Sequence, residues 1–332
     1  MLRYTLRRLS FLPLILLVVS IVVFVALRVL PTGDIADVIG GSNATAAQKE
    51  AIRAQYGLTK PIFPVTVSAD PPFIAFHKDS QYGTWLVDAL QGNFGKQYSN
   101  GVSVRDEFAR RFPASFELVI LSLIFSVVFG VTAGILSAVY RNTWLDYGVR
   151  TFSVLGTSIP EFFLLTLLVI IPSYLWNYAQ PSGGYVPVYD DPLTNIRLFL
   201  PPALILGLAG SSALMRLVRT SMLEVLRSDY VRTARAKGLR EWSVVMSHGL
   251  RNASTPILTA IGTAFIAVFG GSLIAEQILS IQGVGLYFFT ETFSRDLPVI
   301  QFLAVYTAAV VVVVNLIVDL SYAWADPRVQ YN

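Results

Sequence analysis

The sequence predicts an all-α integral membrane protein of six transmembrane helices, with a polar insertion between the first and second. Three observations lead there: a composition too apolar for a soluble chain, six stretches long enough to cross a bilayer, and basic residues that alternate in side across them. The 332 residues are 54% hydrophobic and 14% charged, whereas a soluble domain carries about 25% charged residues. A soluble chain of this length would need more polar surface, so lipid is the better solvent. No cysteine is present, which excludes disulfides, thiolate metal sites, cysteine nucleophiles and a lipidated cysteine anchor.

A spanning helix needs about 20 mostly apolar residues, because each adds about 1.5 Å toward a core about 30 Å thick. The six stretches run from about Leu9 to Leu30, Phe116 to Tyr140, Val149 to Trp176, Leu198 to Val218, Ile257 to Leu279 and Val299 to Trp324. The third carries Pro160 inside it, and the fourth opens on Pro201-Pro202. The first reads as a retained anchor: Arg3, Arg7 and Arg8 precede it, but its apolar run is long for a signal peptide and no small-x-small site follows before Arg28. Glycines recur in pairs, Gly130 with Gly134, Gly207 with Gly210, and Gly270 with Gly271. Small residues let helix backbones approach closely in lipid, so a tightly packed bundle is expected, with Gly130 and Gly134 on one face.

Short cytoplasmic loops are rich in Lys and Arg. Arg3, Arg7 and Arg8 put the N-terminus inside, and Arg141 and Arg150 put the second loop there. The segment from Arg216 to Pro256 sets Arg216, Arg219, Arg227, Arg232, Arg235, Lys237, Arg240 and Arg251 against Glu224, Asp229 and Glu241. The third and fifth loops carry only Arg197 and Arg295. Six alternating spans then leave both termini cytoplasmic. Three regions follow: residues 1–30 as cytoplasmic N-terminus and anchor, 31–115 as an external region, and 116–332 as a core of five helices that includes a cytoplasmic loop at 219–256.

The external region has turn signals at Asp70-Pro71-Pro72 and Gly92-Asn93-Phe94-Gly95. A helix is expected from Thr45 to Tyr56, with Ala46, Ala47, Ile52 and Ala54 available for packing and Gly57 as its stop. Asn43-Ala44-Thr45 matches a glycosylation acceptor, a pattern common by chance. The region is small and loop-rich, which fits a docking lid better than an enzyme.

In the cytoplasmic loop, Ser228 is placed to cap a helix from Asp229 to Lys237, with Asp229 at the positive end of its dipole. Gly238 supplies the left-handed residue that ends it. A second helix is expected from Glu241 to Asn252, before Pro256 opens the fifth span. A basic inner loop attracted to anionic lipid would have the same composition. Nucleic-acid binding finds no groove-reading or stacking motif to accompany those bases.

The order of residues in this loop resembles that of ABC importer permeases. Their general signature is Glu-Ala-Ala, a Gly after three more residues, and Ile-x-Leu-Pro after a further nine. Here Arg232-Thr233-Ala234, Gly238 and His248-Gly249-Leu250-Arg251 stand in its place, departing at the Glu, first Ala, Ile and Pro. Those departures match the dipeptide/oligopeptide/nickel branch, whose text is close to the unbroken run from Asp229 to Leu239, followed by His248 to Ala253. Met1 to Tyr4 with Arg7-Arg8, Arg111 to Ser115 with Glu117-Leu118, Ser158-Ile159-Pro160, and Asn315 to Leu320 with Asp326-Pro327-Arg328 are similar to the branch in the same order. The segments 65–84 and 177–194 look enlarged relative to it.

What this resemblance implies is a type I importer permease fold and an assembly of two permease subunits, two cytoplasmic ATPases and an external substrate-binding protein. The helix Asp229, Tyr230, Arg232, Thr233, Ala234, Arg235, Ala236, Lys237, Gly238 would couple to an ATPase, with His248, Leu250, Arg251 and Asn252 supporting the loop. ATP and Mg would bind the partner ATPases. No cofactor or catalytic residue is expected on this chain, in keeping with the absence of a GxxxxGK[ST] phosphate loop. Peptides are the first substrate expected; nickel complexes, opines and oligosaccharides are carried by similar permeases.

Candidates for the pathway are Ser158, Pro160, Glu161 and Glu276. Glu161 follows a proline kink near mid-span, where an ionisable group must face the bundle interior or water; a structural pair with a base or hydroxyl is the alternative. Glu276 lies near the outer end of the fifth span, as a gate or binding-protein contact or as a hydrated helix end. Asn315 and Asp319, one turn apart, suit a helix–helix hydrogen-bond pair. Arg28 and Glu117 are expected to snorkel at the outer edge. Neither His77 nor His248 has a ligand at metal-site spacing. Trp144, Trp176, Tyr322 and Trp324 read as interfacial anchors in membrane lipid. A secondary transporter would want interrupted helices in paired repeats. An intramembrane enzyme would want HExxH, GxSxG or paired aspartates. The sequence shows no convincing internal symmetry and none of those enzyme motifs.

Overall fold

The computed structural model describes residues 2–29, 35–40, 44–67, 74–76, 79–178 and 185–325. His77, Asp70-Pro71-Pro72, Asn43, Asp326-Pro327-Arg328, the Trp324 side chain and parts of the 65–84 and 177–194 segments lie outside them. In chain order the elements are α1 (Leu2–Val29), α2 (Ile35–Gly40), α3 (Ala46–Gln55), β1 (Val65–Val67), β2 (Ile74–Phe76), α4 (Gln81–Leu90) and α5 (Val104–Val139). Then come α6 (Trp144–Ser158), α7 (Glu161–Trp176), α8 (Pro192–Leu226), α9 (Asp229–Ala236), α10 (Glu241–Ser243), a π-helix (Val244–Leu250), α11 (Ser254–Leu279), α12 (Val284–Phe293) and α13 (Leu297–Ala325).

Among the described residues, five helices carry a window long and apolar enough to cross a membrane: α1, α5, α8, α11 and α13. The expected third span is instead the pair α6 and α7, bent by 89°. The sequence cause is Pro160. A residue before proline is driven out of the helical region, and Ile159 (φ −90°, ψ 121°) and Pro160 (φ −62°, ψ 132°) are both extended. Two other spans are longer than expected. The second begins at Val104, and the fourth runs from Pro192, capped by Asp191, to Leu226. Arg216 and Arg219 are therefore helix residues and not loop residues.

The chain divides into two compact units. The first comprises Met1–Leu9, Arg111–Leu286 and Val311–Asn332. Its interior includes a cluster of Val218, Met222, Leu226, Val231, Val244, Val245 and Ile257, and a second one of Leu118, Leu165, Phe199, Leu206 and Leu279. The paired glycines of α5 are what permit close helix contact there. A Cβ on Gly130 would lie 2.8 Å from Leu214, and one on Gly134 would lie 2.7 Å from Val218 and 2.9 Å from the Met215 carbonyl.

The second unit comprises Ser10–Arg110 and Tyr287–Val310. Thr45 and Gln48 form the reciprocal cap that starts α3, and Gly57 follows it at φ +65°. Of the four residues expected to pack from α3, only Ile52 is partly covered; Ala46, Ala47 and Ala54 are exposed. β1 pairs antiparallel with β2, and α4 follows with Ser80 as its cap. Arg28 does not reach for water. Its guanidinium lies 3.4 Å over the Phe24 ring and donates through Nε to Gln81 Oε1 at 3.0 Å. Gln97 Nε2 donates to the Tyr287 hydroxyl at 2.7 Å, and the Tyr98 amide to Asp296 Oδ2 at 2.6 Å.

Candidate functional site

Two parts of the first unit carry the functional candidates: a cleft beside the α6–α7 bend, and the cytoplasmic loop. The cleft has a volume of about 530 Å³ and is walled by α6, α7, α8 and α11. Pro160 and Glu161 line it, while Ser158 and Glu276 do not. Ser158 turns its hydroxyl back onto the Val154 carbonyl at 2.8 Å, as hydroxyls in a last helical turn do. The walls are mostly apolar, with Ala209, Gly210, Ala213, Ala264 and Ala267 keeping the space open.

Glu276 does not sit at a hydrated helix end. It is fully buried. It accepts from Ser115 Oγ at 2.6 Å, from the Gly285 amide at 2.6 Å and from the Leu286 amide at 3.2 Å. Ser115 Oγ in turn accepts from the Val284 amide at 2.7 Å. Together they hold the first turn of α12, where a negative charge suits the free amides. A hydrated helix end is ruled out because the Gly283-Val284-Gly285 turn folds back over the carboxylate, where side chains at the two glycines would collide with it.

In the loop, α9 begins at Asp229 and Gly238 closes it at φ +77°. Ser228 has cap geometry, but its hydroxyl donates to the Val225 carbonyl at 2.6 Å and not to the helix start. Val231 and Ala234 are buried in the cluster shared with α8, the π-helix and α11. Ala234 therefore faces the core of this chain and not solvent. Asp229, Tyr230, Arg232, Thr233, Arg235, Ala236, Lys237 and Gly238 are exposed. Arg235 reaches past Gly238 to Glu241 through Nη2 at 2.7 Å and Nε at 3.1 Å. This contact holds the Glu241 carboxyl below its usual range and raises Arg235. The expected second helix is one short turn of α10 followed by the π-helix, in which Gly249 packs against Met222 and Leu226. Leu250 lies against the same cluster, and Asn252 Nδ2 donates to the His248 carbonyl at 2.7 Å, while Arg251 is exposed.

One constellation has no counterpart in the sequence expectations. Asp146 on α6 is fully buried and accepts from Arg219 Nε at 2.7 Å, Arg219 Nη2 at 2.9 Å, Ser137 Oγ at 2.6 Å and the Asn142 amide at 2.9 Å. It ties the end of α5, the start of α6 and α8 together. The spacing Thr143-x-x-Asp146 is a helix-start pattern that could have drawn attention to it. Elsewhere, Tyr322 shares a 2.6 Å hydrogen bond with Thr259, whereas Trp144 and Trp176 are exposed as anchors would be. Among the described residues, no group of three or more His, Asp or Glu is placed to hold a metal ion.

Comparison with known proteins places this geometry. The family described as binding-protein-dependent transport system inner membrane component matches residues 130–331, and the N-terminal part of such membrane components matches residues 1–119. A Brucella abortus protein to which the role of peptide transport system permease is ascribed is 36% identical over 96% of both chains. The glutathione transport system permease protein GsiC of Escherichia coli is 35% identical over the whole of both. An inward-facing structure of the MetNI methionine ABC transporter superposes with a TM-score of 0.54 at 17% identity, over 66% of this chain and 96% of that one, a likeness of fold. On these matches the chain belongs to the family of inner membrane components of binding-protein-dependent transport systems, the multi-pass permease subunits of ABC importers.

Proposed function

We propose that this permease forms half of the translocation pathway for di- or oligopeptides, with ATP and Mg bound and ATP hydrolysed by separate subunits. The observation that carries the reading is the build of α9. Its inner residues Val231 and Ala234 are fixed in a core shared with two long helices, while a charged face with Tyr230, 47% exposed, points to solvent. A short helix so anchored and so exposed is suited to being gripped by another protein. Peptides as substrate are supported by the peptide and glutathione relatives.

In this reading the working assembly holds a second homologous permease, two ATPases and an external substrate-binding protein. The protein sits in the inner membrane of a prokaryote with both termini cytoplasmic. Residues 1–30 anchor the chain, 31–115 receive the binding protein, and 116–332 form the permease core, whose coupling segment 219–256 takes in the end of α8 and the start of α11. Asp229, Tyr230, Arg232, Thr233, Arg235, Ala236 and Lys237 meet the ATPase. Gly238 closes that helix, and His248, Leu250, Arg251 and Asn252 brace it. Pro160 and Glu161 line the route. ATP closing the ATPase pair shifts the permeases between two states through its differential affinity for them. The test is labelled-dipeptide uptake by proteoliposomes holding the permeases, with ATPases and binding protein present or omitted in turn. Uptake that requires ATP and every component is expected. Transport of dipeptide in the absence of the ATPases would overturn the reading.

A further inference from the structure

The walls of the cleft hold one carboxylate and no base. Its hydroxyl groups are already committed. Thr157 Oγ1 donates to helix carbonyls and accepts from Arg216 at 3.0 Å, Thr259 Oγ1 pairs with Tyr322, and Thr263 Oγ1 donates to the Thr259 carbonyl at 3.1 Å. Arg216, which is not a wall residue, directs Nη1 to Thr157 and to the Ser153 carbonyl. Glu161 is the exception. It is half-buried at the α6–α7 bend, and among the described residues no hydrogen bond or ion pair reaches its carboxylate. The side chain rests against Gly271 of α11, where a Cβ would come within 2.7 Å of Oε2. The absence of a side chain there leaves the carboxylate its place at the wall. An uncompensated carboxylate in an apolar cleft is costly until a cation meets it.

We infer that Glu161 receives the ammonium group of the peptide as it passes, an inference that rests on the peptide-import reading above. The occupant's charge follows from complementarity: a lone acceptor-only group among apolar walls selects a donor cation, and every peptide with a free N-terminus carries one. A charge-assisted contact of this kind favours the charged substrate by about tenfold or more.

The test compares uptake of Ala-Ala, N-acetyl-Ala-Ala and N-acetyl-Ala-Lys by the complete transporter, carrying either the native chain or Glu161→Gln. Uptake is normalised to the ATPase that co-purifies with the permease, which corrects for assembly. The binding protein is the same throughout, so its own preference cancels when the ratio of amine to acetylated substrate in the variant is divided by that in the native complex. That ratio is expected to fall about tenfold in Glu161→Gln and to be largely retained in Glu161→Asp. A fall for Ala-Ala alone assigns the site to the terminal ammonium, and a fall that includes N-acetyl-Ala-Lys assigns it to ammonium groups in general. An unchanged ratio, or an equal loss for all three peptides, overturns the inference while leaving peptide import standing. If the native complex imports none of the three, both readings fall.

Discussion

Arg219 on α8 grips Asp146 at the start of α6 with two parallel hydrogen bonds, of 2.7 and 2.9 Å, and the carboxylate receives two more from Ser137 and the Asn142 amide. Every acceptor direction of a buried anion is thus occupied by helices that meet at one end of the first unit. Removing one partner of a buried pair strands the other and costs about 3–5 kcal/mol, whereas replacing both with apolar groups of similar volume can be nearly neutral. Asp146→Ala or Arg219→Met alone is therefore expected to lower the thermal midpoint of the detergent-solubilised protein sharply. Asp146→Leu with Arg219→Met is expected to recover most of the loss. A double-mutant cycle on thermal midpoints measures this, and additive losses would contradict it.

A Cβ on Gly238 would meet nothing within 4 Å, so what a side chain changes there is the backbone angle. At φ +77° a β-branched residue is strained by about 2 kcal/mol or more, while asparagine tolerates such angles. Gly238→Val is expected to abolish ATP-dependent uptake while the protein still inserts in the membrane, and Gly238→Asn to keep most of it. Uptake in cells, with membrane content measured by immunoblot, separates the two. Full activity in the valine variant would count against α9 as the coupling helix.

Two glycines give opposite expectations. A Cβ on Gly134 meets the Met215 carbonyl at 2.9 Å, and backbone cannot step aside. Overpacking of this kind costs about 1–3 kcal/mol. Gly270 on α11 has nothing within 4 Å of such a Cβ. Gly134→Ala should destabilise, and Gly270→Ala should be neutral or better, since alanine is the stronger helix former. Thermal unfolding of the two variants side by side is the measurement.

Glu276 is expected to matter to the fold of α12 before it matters to anything that moves. Glu276→Ala strands the amides of Gly285 and Leu286 and the hydroxyl of Ser115, at about 1–3 kcal/mol for each group left buried without a partner. Hydrogen exchange should quicken at those two amides while residues 229–238 remain as protected as in the native protein.

The hook from Arg235 to Glu241 should respond to acid. The folded state lowers the pKa of Glu241 through that hydrogen bond, so its contribution is complete above the ordinary glutamate value of about 4.3 and fades as pH falls through the lower folded value. Both groups are well exposed, so solvent screens the effect and it stays local. Amide protection across residues 237–243 should exceed that of Glu241→Gln near pH 7, and the two proteins should converge in acid. Equal protection at neutral pH would show that the hook contributes nothing.

What could be read from the residues depended on how local its cause was. The text from Asp229 to Leu239 announced a helix and its glycine stop because cap, dipole and left-handed closure all act within a few residues. Pro160 announced a kink for the same reason, though not that the expected span would divide into two helices turned through 89°. The burial of Glu276 was hidden because its partners are Ser115, on another helix, and a turn whose glycines matter only once it folds back. Arg219 looked like one more loop base because its partner, Asp146, is far off in sequence. The pairing of β1 with β2 was not anticipated, since three-residue strands carry too little alternation to register.

The buried side of α9 has a mechanical consequence. Val231 and Ala234 belong to the same close-packed cluster as Met222 and Leu226 of α8 and Ile257 of α11, and protein interiors packed to crystal density scarcely compress. A displacement that shifts the backbone of α9 would therefore move Val231 and Ala234 against a core that yields little. Under the proposed coupling role, such a displacement is expected to reach the ends of two long helices together, which would make this stretch of chain a handle and not a cushion.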